Sequence, residues 1–420
     1  MRFTDAYALS QCLPTRAAIF SGQYGARTGL TSVETSSPDY TPLISPGRPE
    51  GLSPETYTLF EMLRDAGYTT GMSGKWHIGG ANGINSLLNK HGIEFFNDYG
   101  LDWVKPGLPN RNDKQVSAIT DDMLGFTESN KDKPFIAYLA HRSPHTRFDV
   151  PEEAIQKVLK RGFKRSSDSD GFFHERVTAD YIAMIEYLDA SVGRVLNKLD
   201  ELELTENTLV LFLSDNGGLT RVWFNDPLRG GKGQLYEGGI RVPLIARWPN
   251  HIEAGTTNST PVHVVDLFPT FMELVGGQSQ PDQILDGVSF LPLLQGKKIT
   301  REAIYSHHPE YVVAFAKTPC SMIRKRNYKL IHYFGDYLDP EGCEPKAHSL
   351  SGRFILGART ELFDLAKDPG ETRDLAGALP EITKELMADL QSWWNDTDAK
   401  MPTPNPNMDR TQWIWNTVTE

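Results

Sequence analysis

Short apolar runs on either side of a long amphipathic segment, with a change of character near residue 300, predict an α/β fold. The expected form is a mainly parallel sheet flanked by helices, with a smaller C-terminal α+β domain. The chain has 420 residues, more than one hydrophobic core usually supports, so two domains of unequal size are expected, 1–300 and 301–420.

The runs 134–140 (PFIAYLA), 209–213 (LVLFL) and 242–248 (VPLIARW) are of strand length and lack polar alternation, as suits strands buried on both faces of a parallel sheet. Between the first two, Ile182, Ile185, Leu188, Val192, Val195 and Leu199 recur every three or four residues, which predicts an amphipathic helix over 179–202. The polar stretch 163–175, ending near Phe172 and Phe173, reads as a surface insertion. After 286–289 (DGVS), the runs 328–334 (YKLIHYF) and 361–365 (ELFDL) read as strands and 381–394 as a closing helix.

Composition narrows the function. Net charge is −11, which argues against a general nucleic-acid or acidic-membrane binder. No apolar run has the length of a membrane-spanning helix, and the first residues lack the pattern of a signal segment. Cys12, Cys320 and Cys343 are too few for a disulfide framework and are not spaced as a zinc site. One bridge between Cys320 and Cys343 is compatible with an oxidising compartment, but spacing alone does not establish it.

Chemistry enters at 12–16 (CLPTR). Pro14 suits the first turn of a helix, so Cys12 falls at a helix N-terminus, where backbone N–H groups favour an anion. Arg16, four residues on, can project beside Cys12 and hold a charged oxygen there. A buried cysteine or a plain thiolate nucleophile remain alternatives on the local sequence. Lys75 and His77 in 74–79 (GKWHIG) lie two residues apart, on one side of an extended segment. His145 follows the strand from Pro134, at the sheet edge where ligands of open α/β sheets bind, with His141 the weaker candidate. Asp215 and Asn216 end the strand from Leu209 and offer hard oxygens for Ca²⁺ or Mg²⁺, against the alternative of an Asx turn. In 228–233 (LRGGKG) glycines surround Lys232, so that backbone and ammonium can approach an oxyanion.

Taken in order, 12–16 with Ser21-Gly22, 74–79, 143–145 (SPH), 214–217 (SDNG) and 230–243 resemble the signatures of the type I, formylglycine-dependent sulfatases. The segments 323–330 and 361–365 extend the likeness over nearly the whole chain. Thr15 stands where that family more often has serine, and Gln23 where it often has arginine. The resemblance implies an alkaline-phosphatase-like catalytic domain, a formylglycine made from Cys12 by a formylglycine-generating enzyme, and a divalent metal, Ca²⁺ ahead of Mg²⁺, held by Asp215 and Asn216. It also implies that Arg16 holds the aldehyde hydrate, that Lys75 and Lys232 neutralise sulfate oxygens, that His145 protonates the leaving alcohol, and that His77 assists sulfate release. A sulfated small molecule or saccharide as substrate and export from the cytoplasm are further expectations from the family.

One departure concerns the metal. The family begins with an apolar strand ending in paired aspartates, and the sequence here starts beyond that point; a longer gene is the favoured expectation. Asp121-Asp122 reads as a solvated helix face rather than a substitute. His307, His308 and Tyr311, past the domain junction, are candidates for lining the cleft. Two other functions stay open: a phosphatase or phosphonate hydrolase of the same superfamily, and a non-catalytic anion-binding relative.

Overall fold

The computed structural model describes residues 1–33, 41–79, 91–99, 113–165, 178–220, 222–312, 317–335, 337–346, 349–355 and 357–408. Its organising element is the helix Cys12–Ser21, all ten residues of which are buried. A helix apolar on most sides belongs inside a core rather than on a surface. Gly22 ends it at φ 69 and returns its N–H to the Ala18 carbonyl at 2.9 Å. Near that end Phe20 stacks on Phe60 at 4.9 Å and meets the edges of Trp76 and Tyr138 at 5.2 and 5.9 Å. Two further segments with site candidates, one at Trp76 and one leading to His145, are thus packed against the Cys12 helix.

Around it the sheets are parallel and mixed. Thr69–Gly74 lies between Phe95–Asn97 and Phe135–Ala140 and runs parallel to both. A second sheet has the order Val210–Leu213, Leu244–Arg247, Arg2–Phe3, Thr257–Asn258. Beyond Ile304 an antiparallel sheet of four strands, Ile304–His308, Cys320–Lys325, Tyr328–Tyr333 and Arg359–Asp364, is covered by the helix Pro380–Asp396. The helix expected over 179–202 spans Ala179–Glu201, with the Thr178 hydroxyl accepting from the Tyr181 N–H.

Two strand expectations are corrected. The apolar run at 242–248 gives Leu244–Arg247, which is antiparallel to Val210–Leu213 and to Arg2–Phe3. Apolarity encodes burial but carries no direction, and the short helix Glu237–Ile240 turns the chain before this strand. Phe135–Ala140 and Val210–Leu213 are mostly half-buried rather than sealed on both faces. Phe212 is 38% exposed opposite Ile245 at 44%, and no strand among the described residues joins these two sheets. Of the insertion 163–175, residues 166–175 lie outside the described residues.

The antiparallel sheet is locked to the glycine-rich segment by a buried charge cluster. Lys329 Nζ lies 3.0 Å from Glu237 and 2.7 Å from Glu371, all three side chains inaccessible to solvent. Tyr7 donates its hydroxyl to Glu237 at 2.7 Å, and the Glu237 N–H donates to Glu371 at 2.6 Å. Burial and the neighbouring Glu237 raise the Glu371 pKa, with Lys329 opposing both. Lys329→Ala would leave Glu371 buried without its cation and Glu237 with Arg241, at 3.4 Å, as its ion pair, at a cost of about 3–5 kcal/mol for a broken buried pair. A lower urea midpoint than wild type is expected; an unchanged midpoint would mean the cluster does not hold the sheet in place.

Candidate active site

Cys12 opens its helix without a side-chain cap, because Gln11 makes no capping bond there. Backbone N–H groups and the positive end of the helix dipole are therefore presented beside position 12. Thr15 braces the approach, accepting from the Leu9 N–H and donating to the Leu9 carbonyl, both at 3.1 Å. Gln23 sits beyond the helix, its amide donating to the Ile284 carbonyl at 2.8 Å.

One turn on, Arg16 ties three segments together. Its Nε and Nη2 donate to Asp215 Oδ2 at 3.1 and 2.9 Å, and its Nη1 donates to the Lys75 carbonyl at 2.8 Å. Lys75 is placed by Gly74, whose φ is 106 and where a Cβ would lie 2.2 Å from the Ala140 carbonyl oxygen; that oxygen accepts the Lys75 N–H at 2.8 Å. His77 follows at φ 69, a left-handed backbone unusual for a residue with a side chain.

The Lys232 loop joins the same centre through its backbone. Gly233 N–H donates to the Ser10 carbonyl at 2.8 Å, Lys232 N–H to Gly218 at 3.0 Å, and Gly217 N–H to Gly239 at 2.9 Å. Only glycine permits this approach at 217, where a Cβ would stand 1.9 Å from the Gly238 carbonyl oxygen. His145 comes from the turn after Phe135–Ala140; its N–H donates to Arg142 at 2.9 Å and its ring Nδ1 lies 2.8 Å from the Thr146 carbonyl.

Electrostatics confirms the assembly. Burial pushes the Asp215 carboxyl up, but Arg16, Lys75 and Lys232 together pull it down to about 2. Burial lowers the Lys75 pKa, opposed by Cys12 and Asp215 and reinforced by Arg16 and Lys232. His77 is pushed down to about 3 by burial and then by Lys75 and Arg16. His145 is pushed down to about 3 by burial and then by Lys232. Three cations thus surround the Asp215 carboxylate, and burial with these cations disfavours the charged form of both imidazoles. Among the described residues, His77 Nδ1, His141 Nδ1, Ser143 Oγ and Asn216 Oδ1 are buried without a protein hydrogen-bond partner.

The structure brings together Cys12, Arg16, Lys75, His77, His145, Asp215, Asn216 and Lys232. As metal donors, Asp215 and Asn216 fit a hard cation in type, and the unpartnered Asn216 Oδ1 is a suitable ligand atom. They are part of a shell, since Ca²⁺ takes about six to eight oxygens, and among the described residues no group of three or more His, Cys, Asp or Glu could hold a metal.

Other candidates lie elsewhere. Asp121 pairs with Arg194 on the surface, but Asp122 is no solvated face: it accepts from Ser73 and Tyr99, both at 2.7 Å. His307, His308 and Tyr311 are buried, with His307 held by Ser321 at 2.6 Å and His308 by Ser306 at 3.0 Å, and His308 Nδ1 lies 3.5 Å from Ser10 Oγ, two residues before Cys12. Cys320 is a buried free thiol raised to about 12 by burial; the Cys343 side chain lies outside the described residues. Sequence reasoning missed Lys114, whose ammonium donates to carbonyls 31 to 33 residues away, a link with no local signal.

The model of the family described as Sulfatase matches residues 1–277. The chain belongs to the sulfatase family. A second model, described as N-sulphoglucosamine sulphohydrolase, C-terminal, matches residues 230–341. A sulfatase of Formosa agariphila is 30% identical, covering 96% of this chain and 84% of its own length. Arylsulfatase A of Homo sapiens is 31% identical, covering 92% and 79%. A solved structure in complex with its substrate D-glucosamine-2-N,6-O-disulfate superposes with TM-score 0.70 at 20% identity, covering 96% of this chain and 92% of that one, a likeness of fold. The protein is thus a sulfatase, a hydrolase of sulfuric esters, on the alkaline-phosphatase-like fold. No helix among the described residues is long and apolar enough to cross a membrane.

A sulfate anion in this site should offset the part of the His145 depression that comes from Lys232 and Lys75 but not the larger part that comes from burial, so the His145 pKa should rise from about 3 while staying below its ordinary value of about 6.5. Anion binding at pH about 5 should therefore take up a proton and weaken as pH rises through the bound-state pKa. Titration calorimetry with inorganic sulfate in two buffers of different ionisation enthalpy measures the uptake. Identical apparent enthalpies in the two buffers would contradict the assignment.

Proposed function

We propose that this sulfatase hydrolyses a sulfate ester of a carbohydrate, with a formylglycine made from Cys12 as the source of the nucleophile. The observation that carries the reading is the convergence of Arg16, Lys75 and Lys232 on one buried carboxylate beside an uncapped helix N-terminus. This pocket has excess positive charge and suits a tetrahedral oxyanion. Support for a saccharide comes from the fold neighbour bound to a sulfated glucosamine and from the match to the N-sulphoglucosamine sulphohydrolase C-terminal family.

Formylglycine at position 12, held beside Arg16, would supply as its hydrate one hydroxyl as nucleophile toward sulfur and a second hydroxyl through which sulfate could be released. A maturing, formylglycine-generating enzyme is its implied partner. A divalent cation, Ca²⁺ ahead of Mg²⁺, held in part by Asp215 and Asn216, supplies further charge neutralisation at the sulfuryl oxygens. Lys75 and Lys232 bind the sulfuryl oxygens and stabilise the charge that develops on them. Arg16, fixed by Asp215 and the Lys75 carbonyl, orients position 12. His145 donates a proton to the leaving alcohol after the bound anion has raised its pKa, and His77 accepts one from the second hydroxyl.

The test pairs substrate with mutant. Wild-type protein made with its maturing enzyme should turn over a sulfated monosaccharide far faster than the matched phosphate ester; the reverse preference would identify a phosphatase of the same superfamily. Lys232→Ala should lower kcat about a hundredfold, as for loss of one oxyanion donor, with Tm nearly unchanged. A large fall in Tm with undiminished turnover would make Lys232 structural. Binding of inorganic sulfate without turnover of any sulfate ester in fully matured protein would support the non-catalytic reading.

A further inference from the structure

Lys114 lies outside every motif of the site, yet it is buried and its three ammonium hydrogens are matched by three carbonyls. Nζ donates to His145 at 2.7 Å, to Thr146 at 2.9 Å and to Arg147 at 2.6 Å. These carbonyls belong to the turn that carries the His145 ring. The middle one, Thr146, also lies 2.8 Å from His145 Nδ1. A carbonyl oxygen only accepts, so Nδ1 carries the hydrogen in this contact and Nε2 is the basic nitrogen of the neutral ring.

The segment around Lys114 is built for this reach. Lys114 and Gln115 are consecutive non-glycine residues at φ 51 and 64, a strained pair just before the helix Val116–Ser129. Asp113 holds the turn by accepting from the Gln115 N–H at 2.9 Å and the Ser117 N–H at 3.0 Å. Gln115 in turn accepts from Arg142 at 3.3 Å, and Arg142 pairs with Asp98 at 2.6 Å. The His145 turn is therefore gripped at Arg142 and at 145–147 from the same short segment.

We propose that Lys114 is a positioning residue of the leaving-group side: through the 145–147 carbonyls it fixes the His145 ring with its hydrogen on Nδ1 and Nε2 available to the departing oxygen. The inference rests on the proposed role of His145 and extends it to a residue that does not touch substrate. Loss of the amine would release three carbonyls from a common anchor and let the imidazole exchange tautomers and rotate.

Lys114→Met keeps the length and removes the charge and donors. Esters with a poor leaving group, such as a sulfated sugar, need the proton from His145, whereas para-nitrophenyl sulfate releases a stable phenolate without one. Lys114→Met should lower kcat on the sulfated sugar about tenfold or more, within the range of general acid catalysis, with KM and para-nitrophenyl sulfate turnover within about twofold of wild type. His145→Ala should lower turnover of the sulfated sugar at least as far, and adding Lys114→Met to it should cause no further loss on that ester. Equal losses on both esters for Lys114→Met would make it merely structural and overturn the proposal. Nitrogen NMR of labelled histidine tests the geometry in the wild-type protein independently of substrate. The Nδ1–H tautomer is expected for neutral His145, and an Nε2–H tautomer overturns the inference even if Lys114→Met does not fold. If wild-type protein hydrolyses neither ester, the sulfate-ester reading fails, and the tautomer alone decides the role of Lys114.

Discussion

The site depends on a charge imbalance: Arg16, Lys75 and Lys232 surround the single carboxylate of Asp215 in a largely buried pocket. In low dielectric such like charges are tolerated only with strong compensation. Arg16 relieves part of the problem by binding Asp215 and the Lys75 carbonyl together, and the imidazoles of His77 and His145 relieve another part by staying neutral. The remaining positive charge favours an anion, and the same arrangement suits binding and orientation of a sulfuryl group.

Because the cations come from distant parts of the chain, the fold must hold several segments in register. Backbone bonds do most of this: Gly233 to Ser10 joins the Lys232 loop to the approach to Cys12, and Lys75 to Ala140 joins it to the strand leading to His145. The Phe20 cluster packs the other end of the Cys12 helix against Trp76 and Tyr138. Lys329, between Glu237 and Glu371, then fixes the glycine-rich segment from the side of the antiparallel sheet. Positioning is thus carried by close backbone approach and buried charge, which leave little room for the loops to relax when the site is empty.

Much of this was legible in the sequence where the information is local. The Cys12-to-Arg16 spacing, the glycines around Lys232 and the strand before Asp215 name their residues within a few positions. The helix at Ala179–Glu201 followed from periodicity, and the strands at Tyr328–Tyr333 and Arg359–Asp364 from apolar runs. Direction was not legible: Leu244–Arg247 runs antiparallel although its composition suits a parallel strand. Nor were long-range partners, because nothing near Lys114 points to Thr146, and nothing near Lys329 points to Glu371. The burial of His307 and His308 was not legible either, because their partners Ser321 and Ser10 are distant in sequence.

The account's central claim is that position 12 supplies the reacting group, and the mass of the peptide containing it tests this most directly. Protein made with a formylglycine-generating enzyme should contain peptide lighter than the cysteine form by the difference between a thiol and an aldehyde side chain. Sulfate-ester turnover should rise in proportion to that lighter fraction across preparations. Full turnover from protein in which residue 12 is entirely unmodified cysteine would contradict the claim.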